Sequence, residues 1–131
     1  MFYSAKKQAW VHVVLYAGLI FFLSSLERPL PTLERFQKYH LDFLFHVVEY
    51  GILGALLARA LGLSLDSRAV GEIGAAAFLI GCLYGATDEW HQSFVRYREA
   101  SVWDWAADTG GTFLGMFFWL KNFSLRKREN A

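Results

Sequence analysis

Residues 75–94 read AAAFLIGCLYGATDEWHQSF, an apolar run that passes without a break into two carboxylates, an imidazole and an amide. The apolar part has the composition of a membrane-spanning helix. Charged groups at the edge of a hydrocarbon layer are costly unless they are paired or face a cavity. This stretch therefore predicts a transmembrane helix whose last turns direct polar side chains into the interior of a helix bundle.

Three further apolar blocks of similar length occur in the chain. A helix of about 20 apolar residues spans a bilayer, and each block meets that length. The four helices are predicted at about residues 9–26, 41–63, 69–94 and 102–120. The 131 residues suffice for one compact unit. The sequence thus predicts an all-α integral membrane bundle of four transmembrane helices, formed by a single domain over residues 1–131.

Composition and charge narrow the function. Hydrophobic residues make up 55% of the chain and the net charge is only +1, so no broad basic surface exists and nucleic acid is not an expected partner. The single cysteine, Cys82, excludes an internal disulfide and a cysteine-based metal cluster. The sequence therefore favours partners found in or at the membrane, its lipids first among them.

The basic residues predict the orientation, because cytoplasmic loops of membrane proteins carry an excess of Lys and Arg. In a four-helix bundle one side collects Lys6, Lys7, Arg59, Arg68, Lys121, Arg126, Lys127 and Arg128. The other side holds fewer basic residues, and acidic neighbours dilute them. Both termini are therefore predicted to be cytoplasmic. The polar ends of the second, third and fourth helices then face the extracytoplasmic side.

Polar side chains recur at four-residue spacing on three of the predicted helices, which places each set on one helix face. The sets are Asp42, His46 and Tyr50; Asp88 and Gln92; and Asp104 and Asp108. Small residues continue the same faces: Gly54 and Ala58; Ala77, Gly81 and Gly85; and Gly111 and Gly115. Because small residues allow transmembrane helices to approach closely, these faces are expected to meet in the bundle interior. They would form an acidic pocket at one end of the bundle.

The pocket supplies the candidate functional residues. The catalytic candidates are His46, Asp42 and Asp88, and the candidates for substrate binding are Tyr50, Glu89, Gln92, Arg98, Asp104 and Asp108. Glu49, one position from Tyr50, lies within reach of the same cavity. So many carboxylates cannot all stay ionised in a low-dielectric pocket unless a cation neutralises them. That cation is Arg98, a protonated His46, a bound divalent metal or a cationic part of a substrate.

Three interpretations of these residues stay open. Oxygen and imidazole ligands suit Zn, Mn or Mg, although no His-Glu-x-x-His or cysteine signature is present. His46 or an aspartate is suited to carry a proton in hydrolysis or group transfer. The polar groups alternatively serve as interfacial salt bridges and helix caps, as Ser101 and Asp104 do at the start of a helix. Convergence of three helices on one end favours a functional site over the structural interpretation.

The same residues resemble the VanZ-like family of small membrane proteins, named for a protein associated with low-level teicoplanin resistance. The first half of the family pattern corresponds to Asp42, His46, Tyr50, Leu53 and Gly54. The second half corresponds to Tyr84, Asp88, Glu89, Gln92, Phe94, Arg98, Asp104, Asp108, Gly111 and Gly115. The matching offsets extend over about residues 42–115. The resemblance implies a polytopic protein of the bacterial cytoplasmic membrane that is connected with the cell envelope.

Four positions depart from the family pattern, and the departures alter its charge balance. Phe43 stands where the family often has lysine, which removes a cation from the acidic pocket. Arg96 and Tyr97 replace the usual Pro-Gly pair, which restores positive charge nearby. Asp108 replaces a frequent asparagine. The resemblance therefore does not fix the net charge of the pocket in this chain.

These observations favour a pocket that binds an amphiphilic envelope component, such as a lipid-linked cell-wall precursor or a phospholipid headgroup. Whether the protein modifies that ligand stays open. If it does, hydrolysis or group transfer is the simplest chemistry, with Arg98 orienting a phosphate or carboxylate. One alternative is a proton-coupled transporter, which would require an oligomer because four helices are few for transport. The other is a non-catalytic membrane scaffold.

Overall fold

The computed structural model describes residues 2–27, 41–65 and 70–129, and their side chains within 4–27, 43–65 and 70–124. This part of the chain forms four helices and contains no strand. They are α1 (Phe2–Ser24), α2 (Leu41–Ser64), α3 (Val70–Gln92) and α4 (Val102–Glu129). The all-α prediction is confirmed. The basic residues predicted in the loops at 28–40 and 66–69 lie outside the described residues.

Three of the helices are long and apolar enough to cross a membrane, within Ser4–Ser24, Phe43–Ser64 and Val70–Gln92. Large apolar side chains cover the outer face of these helices, as a lipid environment requires. The protein is therefore a multi-pass membrane protein. α4 is more polar, because two aspartates lie in its first two turns and a basic segment ends it. Its membrane span and the cytoplasmic location of the termini stay predictions.

The closest helix pair is α2 with α4, which run parallel because both begin at the same end of the bundle. Glycines make this approach possible. A Cβ atom added to Gly54 would overlap the backbone of Thr112, and one added to Gly111 would overlap the backbone of Val47. Such backbone-to-backbone contact is the packing that small residues permit in membranes. The glycine stripes predicted on α2 and α4 lie at this interface.

The other two helices pack on the sides of this pair. α3 runs antiparallel to α4 and presents Gly81 to Thr112 and Gly85 to Asp108. α1 runs antiparallel to α2, where Trp10 Nε1 donates to Ser64 Oγ at 2.8 Å. The arrangement brings the C-terminal ends of α1 and α3 together with the N-terminal ends of α2 and α4. All predicted polar stripes consequently lie at one end of the bundle.

Helix ends differ from the predicted bounds where hydropathy was the only guide. α1 begins at Phe2 rather than near residue 9, and α4 continues to Glu129 rather than ending near residue 120. The α1 extension contains Lys6 and Lys7, and the α4 extension contains Lys, Arg and Glu. These residues are good helix formers, although they are too polar to count toward a membrane span. α3 ends at Gln92 rather than near residue 94. There Phe94 N donates to His91 O, which tightens the chain into a turn.

The connection between α3 and α4 contains a strained residue. Tyr97 has a φ of 65°, in the left-handed region that favours glycine. Its position is the one at which the family pattern has glycine. We therefore expect Tyr97→Gly to raise the free energy of unfolding by roughly 1 kcal/mol, the cost of left-handed backbone in a residue with a Cβ atom. Thermal unfolding in detergent measures the change.

The Tyr97→Ala variant is the matched control, since it removes the ring but keeps the Cβ atom and hence the strain. Its unfolding midpoint is expected to stay at or below that of the wild type, because the stacking of Arg96 over the Tyr97 ring at 4.8 Å is lost. Equal stabilisation by alanine and glycine would contradict the explanation from backbone strain.

Candidate functional site

Seven polar or charged side chains are buried in the described part of the bundle, and six of them lie at its polar end or within about two turns of it. The seven are Ser24, His46, Asp88, Glu89, Gln92, Asp108 and Thr112, of which Thr112 lies deeper in the bundle. All four helices contribute to this set. Buried polar groups are costly unless they are bonded, so their hydrogen bonds decide what each residue does. We name this group, together with Tyr50, the polar cluster.

His46 and Asp108 form the centre of the polar cluster. His46 Nδ1 lies 2.8 Å from Asp108 Oδ1, and the two side chains are 8% and 0% exposed. The pair joins α2 to α4 beside their glycine contact. Gly85 on α3 allows it to fit, because a Cβ atom there would lie 3.2 Å from Asp108 Oδ2. A carboxylate that holds an imidazole ring fixes both its orientation and its tautomer.

Glu89 approaches this pair from α3. Its Oε2 atom accepts a 2.7 Å bond from the backbone N–H of Ser101, just before α4 begins. Its Oε1 atom is buried and has no hydrogen-bond partner among the described residues, and the same holds for Asp108 Oδ2. One ligand atom each of His46, Glu89 and Asp108 lies within 4.8 Å of the other two. Two adjacent carboxylates and an imidazole thus share one small volume.

Asp88 occupies a different environment although it adjoins Glu89 in sequence. Successive residues of a helix point about 100° apart, so Asp88 faces α1 while Glu89 faces α4. The hydroxyl of Ser24 lies within hydrogen-bond distance of Asp88 Oδ1, and Gln92 Nε2 donates to Asp88 Oδ2 at 3.1 Å. Both oxygens of Asp88 are therefore bonded, which holds α1 against α3.

Several hydroxyl groups within or beside the polar cluster have no hydrogen-bond partner among the described residues. Tyr50 is fully buried one helical turn from His46, and no described residue bonds its hydroxyl. The buried hydroxyl oxygens of Thr109 and Thr112 on α4 share this property. Such groups normally find a partner. Their concentration beside His46 and Asp108 indicates an interior that accommodates additional polar atoms.

The remaining predicted site residues lie at the margin. Asp104 is partly buried in the first turn of α4, where its backbone N–H donates to Ser101 Oγ at 3.3 Å as in a helix cap. Arg98 Nε and Nη2 lie 3.4 Å from the carbonyl oxygens of Leu26 and Leu23. Five N–H donors belong to a guanidinium, so these two contacts leave donors for a ligand. The side chain of Asp42 lies outside the described residues.

Two grooves open onto the polar cluster from the sides of the bundle. The larger, about 430 Å³, lies between α1 and α3, and Asp88 lies among its mainly aromatic lining: Phe21, Tyr84, Thr87, Trp90, His91 and Phe94. The smaller, about 310 Å³, lies between α3 and α4, and Glu89 lines it together with Trp105 and Val102. Each groove combines an apolar wall with one buried carboxylate. This is the surface that an amphiphile requires.

Sequence reasoning overlooked two contributors to the site. Ser24 ends α1 and reaches Asp88, and Thr112 packs against both Gly54 and Gly81. A signal for Ser24 was present, because it lies four residues after the buried Ile20 and thus on the inner face of α1. Thr112 follows Gly111, which the small-residue stripe already placed at the α2 interface. Polar residues on a predicted interior face of a membrane helix are the pattern to search for.

The fold and the cluster define a class: small multi-pass membrane proteins whose helices enclose acidic and imidazole groups at one end. Within that class the chain belongs to the VanZ/LLP1 family, whose model matches residues 5–124. The resemblance inferred from the polar residues is therefore confirmed. No curated protein and no solved structure matches the chain.

Proposed function

We propose that this protein binds a phosphate-bearing amphiphile of the bacterial envelope at the polar end of its bundle. Lipid-linked cell-wall precursors and phospholipids both have this chemistry. In this proposal the protein lies in the bacterial cytoplasmic membrane, and the site faces outward. The proposal also includes a link to teicoplanin resistance, for which the family is named. The observation that carries it is the pair of grooves, each of which combines an apolar wall with a buried carboxylate of the cluster.

The apolar part of the ligand fits the groove between α1 and α3. Trp90 and Phe94 on its rim are 67% and 72% exposed and stack edge to face at 5.4 Å. Exposed aromatic rings at a helix end lie at the level of lipid headgroups. On the inner side His91 stacks against Phe21 at 4.4 Å. An acyl or polyprenyl chain enters such a groove from the bilayer without crossing water.

The polar part of the ligand requires cationic or donor groups. Arg98 lies on the connection that follows α3, close to the end of α1, and has N–H donors beyond those directed at two carbonyl oxygens. Charge-assisted bonds from a guanidinium to phosphate are among the strongest in proteins. Asp108 orients His46, which is the arrangement that a proton carrier needs. Hydrolysis or group transfer on the bound headgroup is the chemistry that these groups suit.

The binding experiment uses tag-free protein in micelles of dodecyl maltoside, a detergent without phosphate, titrated with polyprenyl monophosphate and, in a second series, with phosphatidylglycerol. We expect a saturable site for at least one phosphate-bearing lipid and no site for the uncharged polyprenol. Arg98→Ala is expected to raise the Kd about ten- to hundredfold, since a bond to a charged group contributes roughly 1.5–3 kcal/mol. His46→Ala is expected to weaken binding as well.

Arg59→Ala is the matched control for Arg98→Ala. Arg59 Nη1 lies 3.3 Å from His12 Nδ1, far from the polar end, and the two substitutions remove the same charge. Its Kd is expected to equal that of the wild type. Circular dichroism and size-exclusion profiles establish that each variant is folded. If folded His46→Ala and Arg98→Ala bind both phosphate lipids like the wild type, the proposal is wrong, and a structural role of the cluster explains the residues better.

A further inference from the structure

We propose that His46, Glu89 and Asp108 form a binding site for one divalent transition-metal ion, with Zn²⁺ as the preferred ion. The three residues come from α2, α3 and α4, so the ion would join all three helices at the polar end. This inference does not depend on the proposed lipid ligand, because it rests on the side chains of the cluster alone.

The geometry of the three ligand atoms is close to that of a metal site. They lie within 4.8 Å of one another. Bonds from Zn²⁺ to nitrogen or oxygen are about 2.0–2.2 Å long, so neighbouring ligands on one ion are about 3 to 3.4 Å apart. The 2.8 Å separation of His46 Nδ1 and Asp108 Oδ1 is that of a hydrogen bond, and an ion bound by both atoms would displace the proton between them. Glu89 would complete the set with its Oε1 atom, because its Oε2 atom accepts from the backbone N–H of Ser101.

Two orphaned oxygen atoms are the independent observation that points to a ligand. Glu89 is 7% exposed and Asp108 0%, yet Glu89 Oε1 and Asp108 Oδ2 have no hydrogen-bond partner among the described residues. A buried carboxylate oxygen without a partner is strongly unfavourable. A structural pair alone would bond these atoms to a neighbouring N–H or hydroxyl group. A cation held between the two carboxylates satisfies both oxygens at once.

The charges of the cluster support a divalent ion. A neutral imidazole and two carboxylates sum to a charge of −2, which one divalent cation cancels. A protonated His46 cancels only half of it. Arg98, on the nearby connection, is directed at carbonyl oxygens of Leu23 and Leu26. Uncompensated charge is costly in a bundle interior, and one divalent ion cancels it in a single binding step, whereas protons would have to occupy both His46 and one of the carboxyl groups.

The donor atoms select the kind of ion. One imidazole nitrogen with carboxylate oxygens suits Zn²⁺ and Mn²⁺, whereas Mg²⁺ and Ca²⁺ prefer six or more oxygen ligands. Three protein ligands leave at least one coordination position open, as in catalytic rather than structural zinc sites. The groove between α3 and α4 reaches Glu89 and gives a ligand access to that position. In the metal-bound protein His46 serves as a ligand, and no longer as a proton carrier.

Metal binding is tested with Zn²⁺ itself on the full chain, free of any tag, in phosphatidylcholine nanodiscs without added lipid ligand. After treatment with a chelator, the protein is titrated with Zn²⁺ in competition with a chromophoric chelator. We expect one equivalent per chain and none in empty nanodiscs. Glu89→Gln and Asp108→Asn are each expected to raise the Kd more than about a hundredfold, beyond the 10–100-fold that partners outside the ligand set contribute.

Glu72→Gln is the matched control, because it makes the same change on the same helix. Glu72 lies exposed in the first turn of α3, at the opposite end of the bundle. Its Zn²⁺ affinity is expected to equal that of the wild type. The proposal is overturned if the wild type binds less than a stoichiometric amount, if folded Glu89→Gln retains wild-type affinity, or if Glu72→Gln loses as much.

A spectroscopic readout on the wild type keeps the test decisive if a variant does not fold. X-ray absorption at the zinc edge is expected to show a first shell of only nitrogen and oxygen at about 2.0–2.1 Å, with outer scattering from one imidazole. A sulfur shell from Cys82, or the absence of imidazole scattering, would contradict the assignment. Because this test measures bound Zn²⁺ and not a bound lipid, failure here leaves the lipid-binding proposal intact, and the reverse also holds.

Discussion

Gly115→Ala is expected to destabilise the bundle more than any other conservative change at a helix interface. A Cβ atom at Gly115 would overlap the backbone carbonyl of Gly51 on α2. A carbonyl group cannot rotate away as a side chain does, so α2 and α4 would have to separate. Overpacking usually costs about 1–3 kcal/mol, and a backbone clash belongs at the upper end. The free energy of unfolding, measured by reversible denaturation in mixed detergent, is expected to fall by about 3 kcal/mol or more.

Gly110→Ala is the control on the same helix, because a Cβ atom at Gly110 meets no atom within 4 Å. There alanine is the better helix former, so this variant is expected to be as stable as the wild type or up to about 1 kcal/mol more stable. Equal effects of the two substitutions would show that intrinsic helix propensity, rather than the approach of α2 and α4, determines stability.

The sequence predicted the helix interfaces well because in this chain small residues and polar residues follow the same faces. The stripe that leads from Ala77 through Gly81 and Gly85 to Asp88 is buried throughout. Four-residue spacing is enough to identify the interior face of a helix, and a low count of charged residues identifies a membrane-spanning helix. Helix identity and interior face therefore follow from local patterns alone.

The partners of the polar residues could not be read from the same patterns. Asp88 and Glu89 were expected to act in one pocket, but they face α1 and α4 respectively, with Ser24 and Ser101 as their partners. This division depends on which helix packs on which side of α3. A stripe on one helix does not specify its neighbours, so the pairing requires the tertiary arrangement.

Hydropathy also could not predict where a helix ends when its last turns lie outside the apolar segment. The fourth helix was predicted to end near residue 120, but α4 continues to Glu129. Lys, Arg and Glu have high helix propensity, and a helix already formed by packing extends through them at little cost. A hydropathy profile measures only apolar character, so it places the end of a helix where the apolar residues end. The hydrogen-bonded helix itself continues beyond that point.

Asp108→Ala is the substitution at the polar cluster with the largest expected effect on stability. It removes the carboxylate that is bonded to His46 Nδ1 and leaves a cavity at a position with no solvent exposure. Breaking a buried ion pair costs about 3–5 kcal/mol when the remaining charge cannot be relieved. His46 can lose its proton, so the cost falls toward that of a lost buried hydrogen bond, about 1–3 kcal/mol. We expect a decrease near the upper end of that range, measured by the same denaturation experiment.

Two comparison variants separate the hydrogen bond from the charge. Asp108→Asn retains an oxygen that can accept a bond from His46, so it is expected to recover most of the stability that alanine loses. Asp104→Ala removes a carboxylate from the same helix where it is only partly buried, and is expected to cost less than about 1 kcal/mol. If alanine and asparagine at position 108 were equally destabilising, the negative charge would be the stabilising element. That result would be expected of a site that holds a cation during folding, and it would strengthen the case for a metal ion between His46, Glu89 and Asp108.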